Sequence, residues 1–208
     1  SDSRMRKNIA IQYRPYQRTF LLLLAQEIKR VWEANIHFYV NNEQDRAHLM
    51  RTAPEGLATT ISIVDHLTDM SMTYLNQEPE RLHREAETLE RDYGLGINEM
   101  TVSNRHFGRG FALAGFHHMQ SQMSRRLSYD EIVSRYVASL NFWIAEFATK
   151  DLDLIINGPD SAYFVARKNG VPYRALIESR LRNRYMWAVD RFDTNPEIEA
   201  NFSRIVAA

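Results

Sequence analysis

Residues 89–123 read Leu-Glu-Arg-Asp-Tyr-Gly-Leu-Gly-Ile-Asn-Glu-Met-Thr-Val-Ser-Asn-Arg-His-Phe-Gly-Arg-Gly-Phe-Ala-Leu-Ala-Gly-Phe-His-His-Met-Gln-Ser-Gln-Met. A helix-like segment runs into Asp92 and Tyr93, breaks at Gly94-Leu95-Gly96, and restarts at Ile97-Asn98. Met100, Phe107, Phe111, Ala114 and His118 then fall on one helical stripe. The stretch concentrates glycine and histidine, so a pocket built on this chain is expected to have this joint and the following helix as its wall.

The flanks extend the helical pattern in both directions. Upstream, Pro79-Glu80 suits a helix start, with Leu82, Ala86 and Leu89 on one face. Before it, Pro54-Glu55 opens another expected helix through Leu57, Ile61, Val64, Leu67 and Tyr74. From Gln17 to about Asn41 an apolar stripe of Phe20, Leu23, Leu24, Ile28, Val31, Trp32, Ile36, Tyr39 and Val40 predicts one long helix or two. Asn41-Asn42-Glu43 caps a short helix over Gln44 to Arg51. Downstream, Ser128-Tyr129-Asp130-Glu131 is a capping box, in which serine and glutamate each satisfy the other's free backbone N–H. It opens the clearest amphipathic helix, through Ile132, Tyr136, Leu140, Phe147 and Leu152. Asn157-Gly158-Pro159-Asp160 is a firm break. A short helix around Ser161–Lys168, a turn at Asn169-Gly170, an arginine-rich helix from Pro172 to Asp190 and a terminal turn or helix from Thr194 complete the chain. No strand pair is evident, so the expected class is all-α.

The 208 residues suffice for one sizeable core. Lys and Arg together number 26, as do Asp and Glu, giving zero formal net charge. Such balance gives no global pull toward nucleic acid or anionic lipid. The absence of cysteine removes disulfides, thiolate metal sites and cysteine nucleophiles and fits a reducing, cytoplasmic location. The longest apolar run, Phe20–Ala25, is too short for a bilayer, and no signal-peptide pattern is present.

Pro79 to Phe116 followed by Ser128 to Leu154 gives a short helix ending in Arg-x-x-x-Leu-Gly-Ile, a long helix, a capped turn and another long helix. This order resembles the F, G and H helices of the sensor-globin group, which includes haem-binding globin-coupled sensors and haem-free stressosome globins. The resemblance covers residues 17–156. It implies a globin-like bundle of six to eight helices, an N-terminal tail over 1–16 and a C-terminal helical extension over 157–208.

The resemblance also implies where a haem ligand would stand, four residues before a Gly-hydrophobic pair. With Gly96-Ile97 as the pair the position is Asp92, beside Tyr93, and the distal position falls near Thr60 to Val64. With Gly110-Phe111 as the pair it is His106, the candidate metal ligand. The first register leaves uninterrupted helices and is preferred. Phe107, Phe111 and His118 then line the pocket.

The expected function is a sensory or regulatory ligand-binding domain. Its ligand would be haem with a diatomic gas if a histidine coordinates, and otherwise an apolar small molecule or protein partner. The Pro172–Asp190 helix is expected either to be solvated or to cross to a second subunit through Leu176, Leu181, Tyr185 and Val189, giving a homodimer. The alternative from another class is a di-iron-like helical enzyme using Glu80 and His83, whose Glu-x-x-His spacing puts both on one helix face; a second copy of that motif is missing. A purely structural helical partner is the third reading.

Overall fold

The computed structural model describes residues 6–64, 73–103, 128–179 and 184–206. The chain divides into two compact units, one of residues 1–64 and 148–208, the other of residues 65–147.

The first unit is a sheet, not a helical bundle. Its strands are β1 (Asn8–Gln12), β2 (Asn35–Val40), β3 (Thr60–Ile63), β4 (Leu154–Ile156), β5 (Tyr173–Glu178) and β6 (Tyr185–Ala188), in the order β3-β2-β1-β4-β5-β6. All neighbouring pairs are parallel except β5 with β6. The all-α, globin-like expectation is therefore overturned. The physical reason lies in the central strands. A parallel strand covered on both faces carries apolar residues continuously, and a short continuous run has no period to separate it from a helix. In β2 every residue after Asn35 is buried. Asn8–Gln12, within the segment read as a polar tail, is the central strand. The helix expected from Pro54 to Tyr74 gives way to β3, and the arginine-rich helix expected from Pro172 is the antiparallel pair β5–β6.

Side-chain alternation along the strands sets one face of this sheet. Ile9, Ile11 and Tyr13 align with Ile36, Phe38 and Val40, with Ile156 beyond. Leu21, Ala25 and Ile28 of α1 (Arg18–Trp32) and Leu49 of α2 (Glu43–Thr52) pack against them. Ala10, Tyr39 and Ile155 alternate to the opposite face and are equally buried. Helix α6 (Asp160–Lys168) lies on that side. A Cβ added to Gly158 would stand 2.8 Å from both Ala162 Cβ and Ile155 Cγ2. Glycine lets the start of α6 close onto β4, and Gly158→Ala is expected to cost about 1–3 kcal/mol through overpacking. A urea melt showing no loss would contradict that contact.

The second unit is helical among its described residues. It contains α3 (Pro79–Tyr93), α4 (Ile97–Ser103) and most of α5 (Tyr129–Lys150). Its local signals act as expected. Gly94 ends α3 with φ +67°, its N–H donating to the Glu90 carbonyl. Glu90 Oε1 accepts from the Ile97 N–H at 2.6 Å and so caps α4. The capping box forms at the head of α5, with Ser128 N to Glu131 Oε2 at 2.8 Å and Glu131 N to Ser128 Oγ at 3.2 Å. Buried Tyr136 donates to the Leu95 carbonyl at 2.7 Å, and burial pushes its hydroxyl far above the ordinary tyrosine range. Helix α7 (Pro196–Val206) closes the chain in the first unit. Among the described residues no helix is long and apolar enough to cross a membrane.

Candidate binding crevice at the carboxyl edge of the sheet

The strand order contains a reversal. From β1 the chain crosses through α1 to β2 on one side; from β4 it crosses through α6 to β5 on the other. Right-handed crossovers in opposite directions place the two helices on opposite faces. The chain therefore leaves β1 and β4 toward opposite faces at the carboxyl ends of these neighbouring strands, the position where open α/β sheets take their ligands.

The loop after β1 is Tyr13-Arg14-Pro15-Tyr16-Gln17. It has no glycine, so it lacks the close backbone cradle of a glycine-rich phosphate loop. It offers side chains instead. Tyr13 continues the ladder, its N–H donating to the Tyr39 carbonyl at 2.7 Å, and its ring meets Phe38 edge-on. Arg14, extended before proline as the ring requires, turns its guanidinium across the reversal. Its Nη2 donates to the Asn157 carbonyl after β4 at 3.0 Å, and its Nη1 to the Tyr16 hydroxyl at 3.0 Å. A guanidinium has five N–H groups, so three make no hydrogen bond among the described residues and are open to a ligand.

Below Arg14 lies a closed polar lock. Asn157, at φ +61°, donates through Nδ2 to Gln17 Oε1 at 2.8 Å, while its Oδ1 accepts from the Leu176 N–H at 2.7 Å. Gln17 Nε2 returns to the Leu176 carbonyl at 2.9 Å. All three residues are buried. The loop after β1, the end of β4 and the middle of β5 are thereby fixed to one another, which gives Arg14 a rigid platform.

Two further groups stand at this edge. Gln12 ends β1 and is 7% exposed; its Nε2 donates to Asn41 Oδ1 after β2 at 3.0 Å, but its buried Oε1 has no hydrogen-bond partner among the described residues. Arg18 opens α1 with a buried Nε that also has no hydrogen-bond partner among the described residues, and its Nη2 approaches Asp45 Oδ1 at 3.8 Å. Asp45 is held by Asn42, whose Oδ1 accepts the Asp45 N–H at 2.8 Å. The first turn of α1 carries no acidic residue and no side-chain cap, so its positive end is uncompensated. Native proteins rarely leave buried polar atoms unpaired; Gln12 ends β1, and Arg18 opens the helix that follows.

No family model and no curated protein matches the chain.

The residues singled out from sequence are placed elsewhere. His106, Phe107, Phe111 and His118 lie outside the described residues. Asp92 and Tyr93 end α3 in the second unit. Asp92 pairs with Arg91 at 3.2 Å, and burial, then the Asp92 charge, raise the Tyr93 hydroxyl. Val64 is buried at the end of β3 in the first unit, its N–H donating to the Val40 carbonyl at 2.7 Å. Glu80 faces Arg84 at 3.6 Å, and His83 Nε2 meets Asp130 Oδ1 at 2.7 Å. Among the described residues no three histidine or acidic side chains gather as a metal site. Sequence reading missed Gln12, Arg14 and Arg18, took Asn41 only as part of a helix cap and took Asn157 only as a break. The available signal was the run Ile9-Ala10-Ile11 leading into a polar residue, an arginine and a proline.

Proposed function

We propose that this chain is a ligand-binding α/β domain that takes a small phosphate-bearing anion, of the nucleotide class, at the carboxyl edge of its sheet. The observation that carries the reading is Arg14, fixed across the strand-order reversal with three N–H groups left to donate. Arg18 and the head of α1 add positive potential, and Gln12 Oε1 offers an acceptor for a ligand hydroxyl or amine. Arginine suits such a role because its planar fork matches two phosphate oxygens at once. Ligand binding is thus kept from the expectations raised by the sequence, at a different site. Haem entered with the globin resemblance, and with a doubly wound sheet in its place we do not propose it. A cytoplasmic location belongs to the same proposal and suits the cysteine-free composition.

Calorimetric titration of the protein with ADP and with pyrophosphate, at low salt, tests this. The intact chain is expected to bind at least one of them saturably. Arg14→Ala, checked for folding by circular dichroism, is expected to weaken binding about 10- to 100-fold, the worth of a charge-assisted hydrogen-bond pair. Equal affinity in Arg14→Ala, or no saturable binding by the intact chain, would overturn the proposal.

A further inference from the structure

Among its described residues the first unit carries two apolar features open to a partner. One is a groove of about 660 Å³ on the sheet face that α1 packs against. Leu24, Trp32, Ile156 and Trp187 line it, with Arg174 and Glu197 supplying one charge of each sign. Phe20 extends the surface, its ring 5.8 Å from Tyr185 and 6.3 Å from Trp187. The other feature is α7. Ile198, Phe202 and Ile205 recur at helical spacing and form one stripe, yet they are 51%, 66% and 74% exposed, and no residue of α7 is buried.

Helix α7 does not serve its own groove, although it starts at the rim through Pro196 and Glu197. Asn195 fixes that start. Its Nδ2 donates to the Trp187 carbonyl at 2.8 Å and its Oδ1 accepts from the Ile198 N–H at 3.0 Å. The anchored helix leaves its apolar stripe uncovered. A groove lacking a helix and a helix lacking a groove, adjacent on one chain, are complementary between two copies.

We propose that two copies of this chain exchange α7, each laying the Ile198–Phe202–Ile205 stripe into the other's groove. The arrangement is isologous and closes with two-fold symmetry, and exchange of an identical element is a low-cost route to a dimer. The charges agree. The incoming helix carries Glu197 and Glu199 in its first turn and Arg204 in its last, and the groove offers Arg174 as a partner for the acidic end. Zero net charge gives the two copies no long-range repulsion. Each contact is made twice, which doubles the area toward the roughly 1,200–2,000 Å² that a stable interface needs.

Light scattering coupled to size exclusion, at micromolar and at hundred-micromolar loading, reads the mass. A dimer is expected at the higher loading. Phe202→Glu and Ile205→Glu, both at exposed positions, are expected to give a folded monomer. The chain has no cysteine, so Leu24→Cys and Phe202→Cys can be placed in separate chains, mixed and oxidised. A covalent dimer found only in the mixture supports the exchange. A monomeric intact chain at high loading, a dimer untouched by Phe202→Glu, or an intrachain disulfide when both cysteines share one chain would each overturn it.

Discussion

Asn157→Ala is expected to lower the stability of the folded chain by about 3–4 kcal/mol. The substitution removes two buried hydrogen bonds made by the Asn157 side chain, to Gln17 and Leu176. It also leaves the Leu176 N–H without its acceptor in a buried setting, which costs about 1–3 kcal/mol by itself. The backbone adds to the loss. Asn157 sits at φ +61°, in the left-handed region that asparagine tolerates and alanine resists by about 1 kcal/mol. Asn157→Gly separates the two contributions, since glycine adopts this φ freely but makes neither bond. Urea unfolding should show a lower midpoint at unchanged slope for both variants, with the alanine variant below the glycine variant. A loss under about 1 kcal/mol in Asn157→Ala would mean that the lock between Gln17, Asn157 and Leu176 does not hold.

Phe38→Ala should destabilise by about 3–5 kcal/mol, the usual cost of emptying a core aromatic site. Phe38 stands in the middle of β2, fully buried, against Tyr13 and the residues of α1 and α2. This variant discriminates between folds. A helix over residues 17–41 puts Ile36, Tyr39 and Val40 on its apolar stripe and leaves Phe38 off it; a strand covered on both faces buries all four. Leu23→Ala supplies the contrast. Leu23 lies on the expected helical stripe but is 58% exposed, and its removal should stay within about 0.5 kcal/mol. Comparable losses for the two variants would contradict the sheet.

These two residues show why the sequence was legible in parts. Signals written in local backbone chemistry were read correctly: the capping box at Ser128, the proline start of α3 and its glycine stop at Gly94, the cap at Asn42, and the turn at Gly170. Each depends only on residues within a few positions of one another. The strands depend on partners far along the chain. Ile9 aligns with Ile36 and with Leu154, and no local pattern announces such pairing when both faces are buried. Helix α1 takes only the first part of the stripe expected over 17–41, the rest being β2, and Leu21, Ala25 and Ile28 face the core while Leu23, Val31 and Trp32 of that stripe are exposed. The crevice was harder still. Arg14 and Asn157 are separated by 143 positions and meet only because β1 and β4 are neighbours. Once an all-α class is assumed, a polar segment before the first helix and a loop after the last long one have no reason to be considered together.

The central claim is that the carboxyl ends of β1 and β4 form the ligand site, and backbone nuclear magnetic resonance tests it most directly. The labelled protein would be titrated with ADP and its amide shifts followed by residue. The account predicts saturable shifts concentrated at Gln12, Arg14, Arg18, Asn41 and Asn157, and absent from the groove around Trp32 and Trp187. Shifts confined to that groove or to the second unit, or no saturable change at any amide, would contradict it.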